Sequence, residues 1–358
     1  IMATKQMSFA DLEIIQRLLP DTVLLKLNAL IDWEAFRPLL KGVYKRDLSN
    51  GGGQEPHDAL MMFKATLLGQ WHSLSDPALE VALRVRIDFI VFCGLDLASD
   101  MPDETTLCRF RNRLVATGKL PLLLSAVNAQ LQANGLMVKA SQGAVLDATL
   151  VQSAARPRSG ITLETDGQGQ PVSYEDGGQP GVVGIEPQSA DTDAAWLKKG
   201  KKSHYGYRCY VTVDEEDGYV RGVHSAPANE SEVSHFEAAL AAADIKATRV
   251  LADKGYASAA NRGHLKQRQQ KSGIMHKAAR NRPLTDRQKL ANKLISEKRY
   301  IVEQCFGTMK RLFGMARARY FGTHKVNAQV LLKGMCMNLL KAANKITLEP
   351  PIPPYCVQ

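Results

Sequence analysis

The chain reads as a mixed α/β protein whose sheet-bearing domain follows a separate all-helical N-terminal domain. Three observations predict this. Apolar residues recur at helical spacing through the first 136 residues, and the pattern changes abruptly at Gly143. Beyond it come short apolar runs in the order strand, hairpin, helix, strand, helix, strand, helix. That alternation suits helices layered on a mixed sheet, and excludes a TIM barrel or an all-β sandwich.

Residues 9–136 are assigned to the helical domain. Leu12, Ile15, Leu18 and Leu19 share one helical face, and the run Asn50-Gly51-Gly52-Gly53 interrupts the pattern. Helical stripes resume with Leu60, Phe63, Leu67 and Leu68, then Leu79, Leu83 and Ile87. Asp103 is placed as an N-cap for a helix carrying Leu107, Phe110 and Leu114.

Residues 140–345 are assigned to the α/β domain, with a loop insertion over about 152–200. Val145-Leu146-Asp147-Ala148-Thr149-Leu150 is a buried strand with one acid in it. The stretch from Ser153 to Thr192 is rich in Gly, Ser, Asp and Pro, and reads as the long loop. Tyr207–Val213 and Tyr219–His224 alternate around Asp217-Gly218, which indicates a hairpin. A helix over 232–243, a strand over 249–252, a helix over 258–269 and a last strand over 273–276 follow. A long helix over 285–313 and an amphipathic one over 326–341 complete the domain, and 346–358 form an extended tail.

Composition narrows the function classes. No run of about 18 apolar residues suggests a membrane span, and the N-terminus lacks the pattern of a secretory signal. Six cysteines lie scattered without a C-x-x-C pair, which argues against a zinc site or disulfide framework and suits a reducing cytoplasm. The charge of +10 is unevenly placed. Residues 254–345 hold 21 Lys and Arg against Asp286, Glu297 and Glu303, a net of +18 that leaves −8 elsewhere. A basic third on an acidic body is the footprint of a protein that holds a polyanion, although an ordinary solvated surface is the plain alternative.

Three acids stand apart by position. Asp147 lies in the first strand, Asp253 at the C-terminal end of a later one, and Glu303 in a long helix almost devoid of other acids. Each has a modest alternative: a bond to nearby backbone, a turn opener, and an i,i+4 pair with Arg299. Together they suggest a site for hard divalent cations, which prefer oxygen ligands. Two Mg²⁺ ions (or Mn²⁺) held this way serve phosphodiester cleavage. On a helix of about 100° per residue, Arg299, Glu303 and Lys310 fall within roughly 40° of one another. That face sets two cations beside the acid, where they would meet a DNA backbone.

These residues resemble bacterial insertion-sequence transposases of the DDE type, in the insertion-sequence-four and -five superfamily. The motifs are Val145-Leu146-Asp147-Ala148-Thr149, Asp253-Lys254-Gly255-Tyr256, and the Y-x2-R-x3-E-x6-K signature met by Arg299, Glu303 and Lys310. Ser296 stands where that signature has tyrosine. The stretches 102–111 and 196–207 are also similar to the family. The resemblance spans roughly residues 10–345. It implies an RNase H-like catalytic domain that binds terminal inverted repeats of double-stranded DNA, cleaves the transposon ends and joins them to target DNA. It further implies Asp147, Asp253 and Glu303 as metal ligands. Arg299, Lys310, Lys254, Arg311, Lys201 and Lys202 are the expected DNA contacts. A homodimer acting on the bacterial nucleoid is expected by analogy. The alternatives are a metal-dependent nuclease on the same fold and a DNA-binding regulator without catalysis. Arg109, Arg111 and Arg113 recur on one predicted helix, either as further DNA contacts or as a solvated face. Trp196, His204, Tyr207 and His324 receive no role.

Overall fold

The computed structural model describes residues 22–44, 55–96, 100–137, 143–163, 165, 182–243 and 247–347. The helix expected around Leu12–Leu19, the glycine run at 51–53 and nearly all of the C-terminal tail lie outside these residues.

The N-terminal region is helical. Its helices are α1 (Val23–Leu30), α2 (Arg37–Leu40), α3 (Ala59–Trp71), α4 (Asp76–Val85), α5 (Ile87–Cys93), α6 (Glu104–Ala116) and α7 (Leu120–Ala133). Polar side chains cap α3, α4 and α6, and the cap expected at Asp103 is among them. Asp103 accepts from Thr106 N at 2.6 Å, and Ser75 accepts from Ala78 N at 3.3 Å, each satisfying an N–H that the first helical turn leaves open.

The sheet is built from β1 (Gly143–Gln152), β4 (Ala195–Lys199), β5 (Lys202–Asp214), β6 (Val220–Pro227), β7 (Arg249–Ala252) and β8 (Lys271–Ile274). From β6 the strand order is β6-β5-β1-β7-β8, with β4 also paired to β5. β6, β5 and β1 run antiparallel in turn, whereas β1, β7 and β8 run parallel. This is the RNase H-like arrangement. Helices α8 (Phe236–Ala241) and α9 (Ala259–Gln267) form crossovers, and α10 (Asp286–Leu312) and α11 (Thr323–Ala343) complete the chain.

The stretch read as a loop insertion is more ordered than its composition suggests. Within it, β2 (Arg158–Leu163) and β3 (Val182–Gln188) pair antiparallel as a two-stranded ribbon, and β4 joins the main sheet. Gly, Ser and Pro mark turns, but cross-strand pairing can override their weak strand propensity.

β1 is apolar at successive positions from Ala144 to Leu146 because both faces of the sheet are covered there. Ala144 and Leu146 point to one core with Val250, Phe236, Leu240 and Leu265. Val145 and Val151 point to the other, with Val211, Leu251, Val302 and Met309. This second core runs on into the N-terminal helices, because α11 packs at once against β6, α7, α3 and α1. The expected amphipathic stripe at 326–341 is thus a central, nearly fully buried helix, which suits packing and leaves it no face for DNA. A buried polar knot pins the junction: Asn338 donates to Asn128 Oδ1 at 2.7 Å and accepts from Val220 N at 2.8 Å. Full pairing is what makes such a knot tolerable in a core.

The hairpin forms where Asp217-Gly218 indicates, but as a larger turn. The fully buried Asp214 carboxylate accepts from the backbone N–H groups of Glu216, Asp217, Gly218 and Tyr219 at 2.6–3.2 Å. Gly218 adopts φ +64°, and a Cβ there would meet Ile301 at 2.7 Å. Both conditions require glycine.

Candidate active site and nucleic-acid interface

Strand periodicity puts the first two acids side by side. Asp147 follows Leu146 on β1 and Asp253 follows Ala252 at the end of β7, and Leu146 and Ala252 are register partners on adjacent parallel strands. Counting by twos from Val145 and Leu251 sends both carboxylates to the face covered by α10. Strand C-terminal ends are where open α/β sheets collect ligands.

Between the carboxylates sits Arg299 of α10. Its Nη2 donates to Asp147 Oδ2 at 2.7 Å, and its Nη1 lies 3.5 Å from Asp253 Oδ1. The guanidinium is buried and its Nε has no partner. Asp147 Oδ1 accepts from Ala148 N at 2.8 Å, and Asp253 Oδ1 accepts from Lys254 N at 2.7 Å. Burial pushes the Asp147 carboxyl above the usual carboxylate range, and the charge of Arg299 pulls it back. Tyr256, fully buried beside Asp147, has its phenol pushed well up by the same burial. The expected DNA contact Arg299 therefore spends its charge on the protein's own acids here.

Glu303 stands one turn further along α10. It is exposed, and among the described residues no three His, Cys, Asp or Glu side chains are grouped closely enough to hold a metal ion. The structure brings Asp147 and Asp253 together and leaves Glu303 outside the pair. The donors still suit a hard cation. The pair consists of carboxylate oxygens and already recruits a buried cation, and Glu303 is on the next turn of the helix that supplies it.

A cleft of about 590 Å³ opens beside Asp147, at Ala148 and Thr149. Lys198, Lys199, His204, Arg208, Lys310 and Arg317 line it together with Leu150, Leu197 and Glu232. Lys310 is half-buried there, and burial followed by the nearby Lys199 lowers its pKa. Lys254, Arg311, Lys201 and Lys202 are exposed. Among the three arginines of α6, Arg111 is structural: it pairs with Asp76 and lies 4.4 Å over the Tyr320 ring. Arg109 and Arg113 are exposed. Tyr207 is likewise structural, buried with its hydroxyl on Asp191.

Sequence reasoning missed Glu232 and Arg208. They pair at 3.1 Å in the cleft, and Glu232 lies so close to Gly255 that a Cβ there would come within 2.3 Å of its Oε2. The glycine of the Asp-Lys-Gly-Tyr motif thus lets the Glu232 carboxylate lie against the backbone, and a Cβ there would push that side chain aside. No spacing signal links residues 208, 232 and 255.

The family model for the transposase DDE domain matches residues 141–339, which include the carboxylate pair, α10 and the cleft. The chain belongs to the DDE transposase family. A second model, a transposase domain designated DUF772, matches residues 12–113. The chain is 44% identical over 276 residues to the transposase for insertion sequence element IS1106 of Neisseria meningitidis serogroup B, covering 77% of this chain and 88% of that protein. The cryo-EM structure of the piggyBac transposase synaptic complex with hairpin DNA is a more distant likeness. Its TM-score is 0.42 at 10% identity, over 90% of this chain and 75% of that one. Among the described residues no single helix is long and apolar enough to cross a membrane.

Proposed function

We propose that this chain binds the terminal inverted repeats of an insertion sequence, cleaves the DNA at the ends and joins the freed 3′-OH to target DNA. The observation that carries the reading is the Asp147–Asp253 pair on adjacent parallel strands, bridged by a buried arginine from the helix that also bears Glu303 and Lys310. Asp147, Asp253 and Glu303 would hold divalent metal. A pair of Mg²⁺ or Mn²⁺ ions, when bound, supplies Lewis acidity toward the phosphate and stabilises the attacking and leaving oxygens.

The remaining work belongs to the protein. β1 holds Asp147 within the sheet, and the end of β7 fixes the residue just before Asp253. Glu303 reaches the pair by turning its side chain inward from α10. Arg299, once released from the carboxylates, is left beside the reacting phosphate with a planar fork suited to its oxygens. Lys310 holds the adjoining backbone from the cleft, and Lys254, Arg311, Lys201 and Lys202 extend that grip along the DNA. Joining two ends calls for two copies of the chain, and the substrate places them on the bacterial nucleoid in the cytoplasm.

The test is Mg²⁺-dependent cleavage and joining of end-bearing DNA by Asp147→Ala, Asp253→Ala and Glu303→Ala. Each folded variant is expected to lose both activities. Near-normal cleavage by any one would falsify that residue's role as a ligand. Cleavage by the unmodified chain without joined products would assign it to the nucleases instead.

A further inference from the structure

The cleft beside Asp147 carries an unbalanced charge, and the imbalance is localised. Arg208 is neutralised by Glu232 at 3.1 Å. Arg317 donates to the backbone carbonyls of Ser153 and Ala154, the latter at 2.9 Å. Lys198, Lys199 and Lys310 form no ion pair among the described residues; Lys198 and Lys199 are exposed, whereas Lys310 is half-buried with Lys199 close enough to depress its pKa. The two come from unrelated elements, β4 and α10, and meet at one cavity. The exposed Lys199 and the half-buried Lys310 repel each other across this cleft until an anion lies between them.

Resting on the transposase reading, we propose that Lys199 and Lys310 form a two-lysine clamp on a single phosphodiester of the DNA strand that runs past the Asp147–Asp253 pair. Lys310 alone belongs to the signature helix. Lys199 completes the clamp from the β4–β5 hairpin, at the C-terminal end of the sequence insertion. Leu150 and Leu197 line the same cleft and give the apolar face of a deoxyribose a surface to rest on, which a free phosphate would not use. Arg208 is withheld from the anion by Glu232, so the clamp is made by the lysines.

The experiment measures binding of end-bearing DNA to the full chain in EDTA, across a salt series, for wild type, Lys199→Gln, Lys310→Gln and the double variant. Each single variant is expected to bind about three- to tenfold more weakly near 0.1 M salt, with a shallower salt dependence, by up to about 0.9 in log–log slope for one duplex phosphate contact. Because both lysines grip one phosphate, the double variant should lose clearly less than the product of the two single losses. Lys199→Arg should restore binding. Wild-type binding by Lys199→Gln, or losses that multiply as for independent sites, would overturn the clamp. So would displacement of the DNA by inorganic phosphate as effective as that by unlabelled DNA, which would assign the site to a free anion. These outcomes are separable from failure of the functional reading: a chain that binds DNA with this lysine dependence yet never cleaves it retains the clamp and loses the catalytic assignment, whereas a chain that binds no DNA loses both.

Discussion

Replacing Arg299 by Gln removes the charge that joins Asp147 to Asp253 while keeping most of the side-chain volume. The Arg299 and Asp147 side chains are 10% and 17% exposed. Breaking such a buried pair from one side costs about 3–5 kcal/mol. The contact to Asp253 adds little, because that side chain is 35% exposed and stands 3.5 Å away, and water screens it. A net loss of about 3 kcal/mol is expected from urea unfolding at pH 8 in EDTA. The sign with pH follows from Asp147. Its carboxyl is raised by burial and held down by Arg299, so the variant raises it further. The folded variant then takes up a proton more readily, and the deficit should shrink as pH falls toward 5. Mg²⁺ competes with Arg299 for the same oxygens, so it should bind the variant more tightly than wild type. An advantage of about 10- to 100-fold in affinity would return roughly 1.4–2.7 kcal/mol of stability at a Mg²⁺ concentration that saturates the variant but not wild type. Calorimetric titration of Mg²⁺ without DNA measures it directly. Equal stability of the two proteins in EDTA, or equal Mg²⁺ affinity, would refute the competition.

Three further outcomes follow from the packing. Asp214→Ala leaves four backbone N–H groups of the β5–β6 turn without their acceptor, and should cost about 3–5 kcal/mol in urea unfolding; a loss below 1 kcal/mol, roughly that of an ordinary surface change, would contradict the role given to that carboxylate. Gly222→Ala drives a Cβ to 2.4 Å from Ala242 O and 2.5 Å from Ala243 Cα; backbone cannot yield as a side chain does, so a loss of at least about 2 kcal/mol is expected. Lys64 and Lys333 are both buried, with pKa values lowered by burial from 10.5 to about 8. Between those values the unfolded chain holds protons that the folded one has released, so stability should rise as pH climbs from 8 toward 10.5. The gain is at most about 3 kcal/mol per lysine, and Lys333→Met should remove one lysine's share; a flat stability profile over that range would rule the effect out.

The order of elements and the type of nearly every one were legible in the sequence, because burial on one or both faces writes a period into it. The strand bearing Asp147, the hairpin, the strand ending at Asp253 and the long basic helix all stand where periodicity puts them. The ribbon of β2 and β3 was not legible, since its pairing comes from the partner strand and not from its own Gly- and Pro-rich composition. The neighbourhood of Asp147 and Asp253 was implied by two motifs, but their adjacency is a matter of register between strands about a hundred residues apart in sequence.

By itself, the amino-acid sequence determined the fold class and the basic third of the chain, which local spacing and composition carry, and it offered Asp147, Asp253, Glu303, Arg299 and Lys310 as candidates through their resemblance to the DDE signature. Only the tertiary structure decided how those charges are spent. Arg299 is committed to the carboxylate pair because α10 packs over β1 and β7. Arg208 is cancelled by Glu232, whose carboxylate also lies against Gly255. Lys310 faces Lys199 across a cleft that neither of their elements forms alone. Electrostatic partnership depends on distance and burial, and sequence spacing carries neither once the partners lie on different elements.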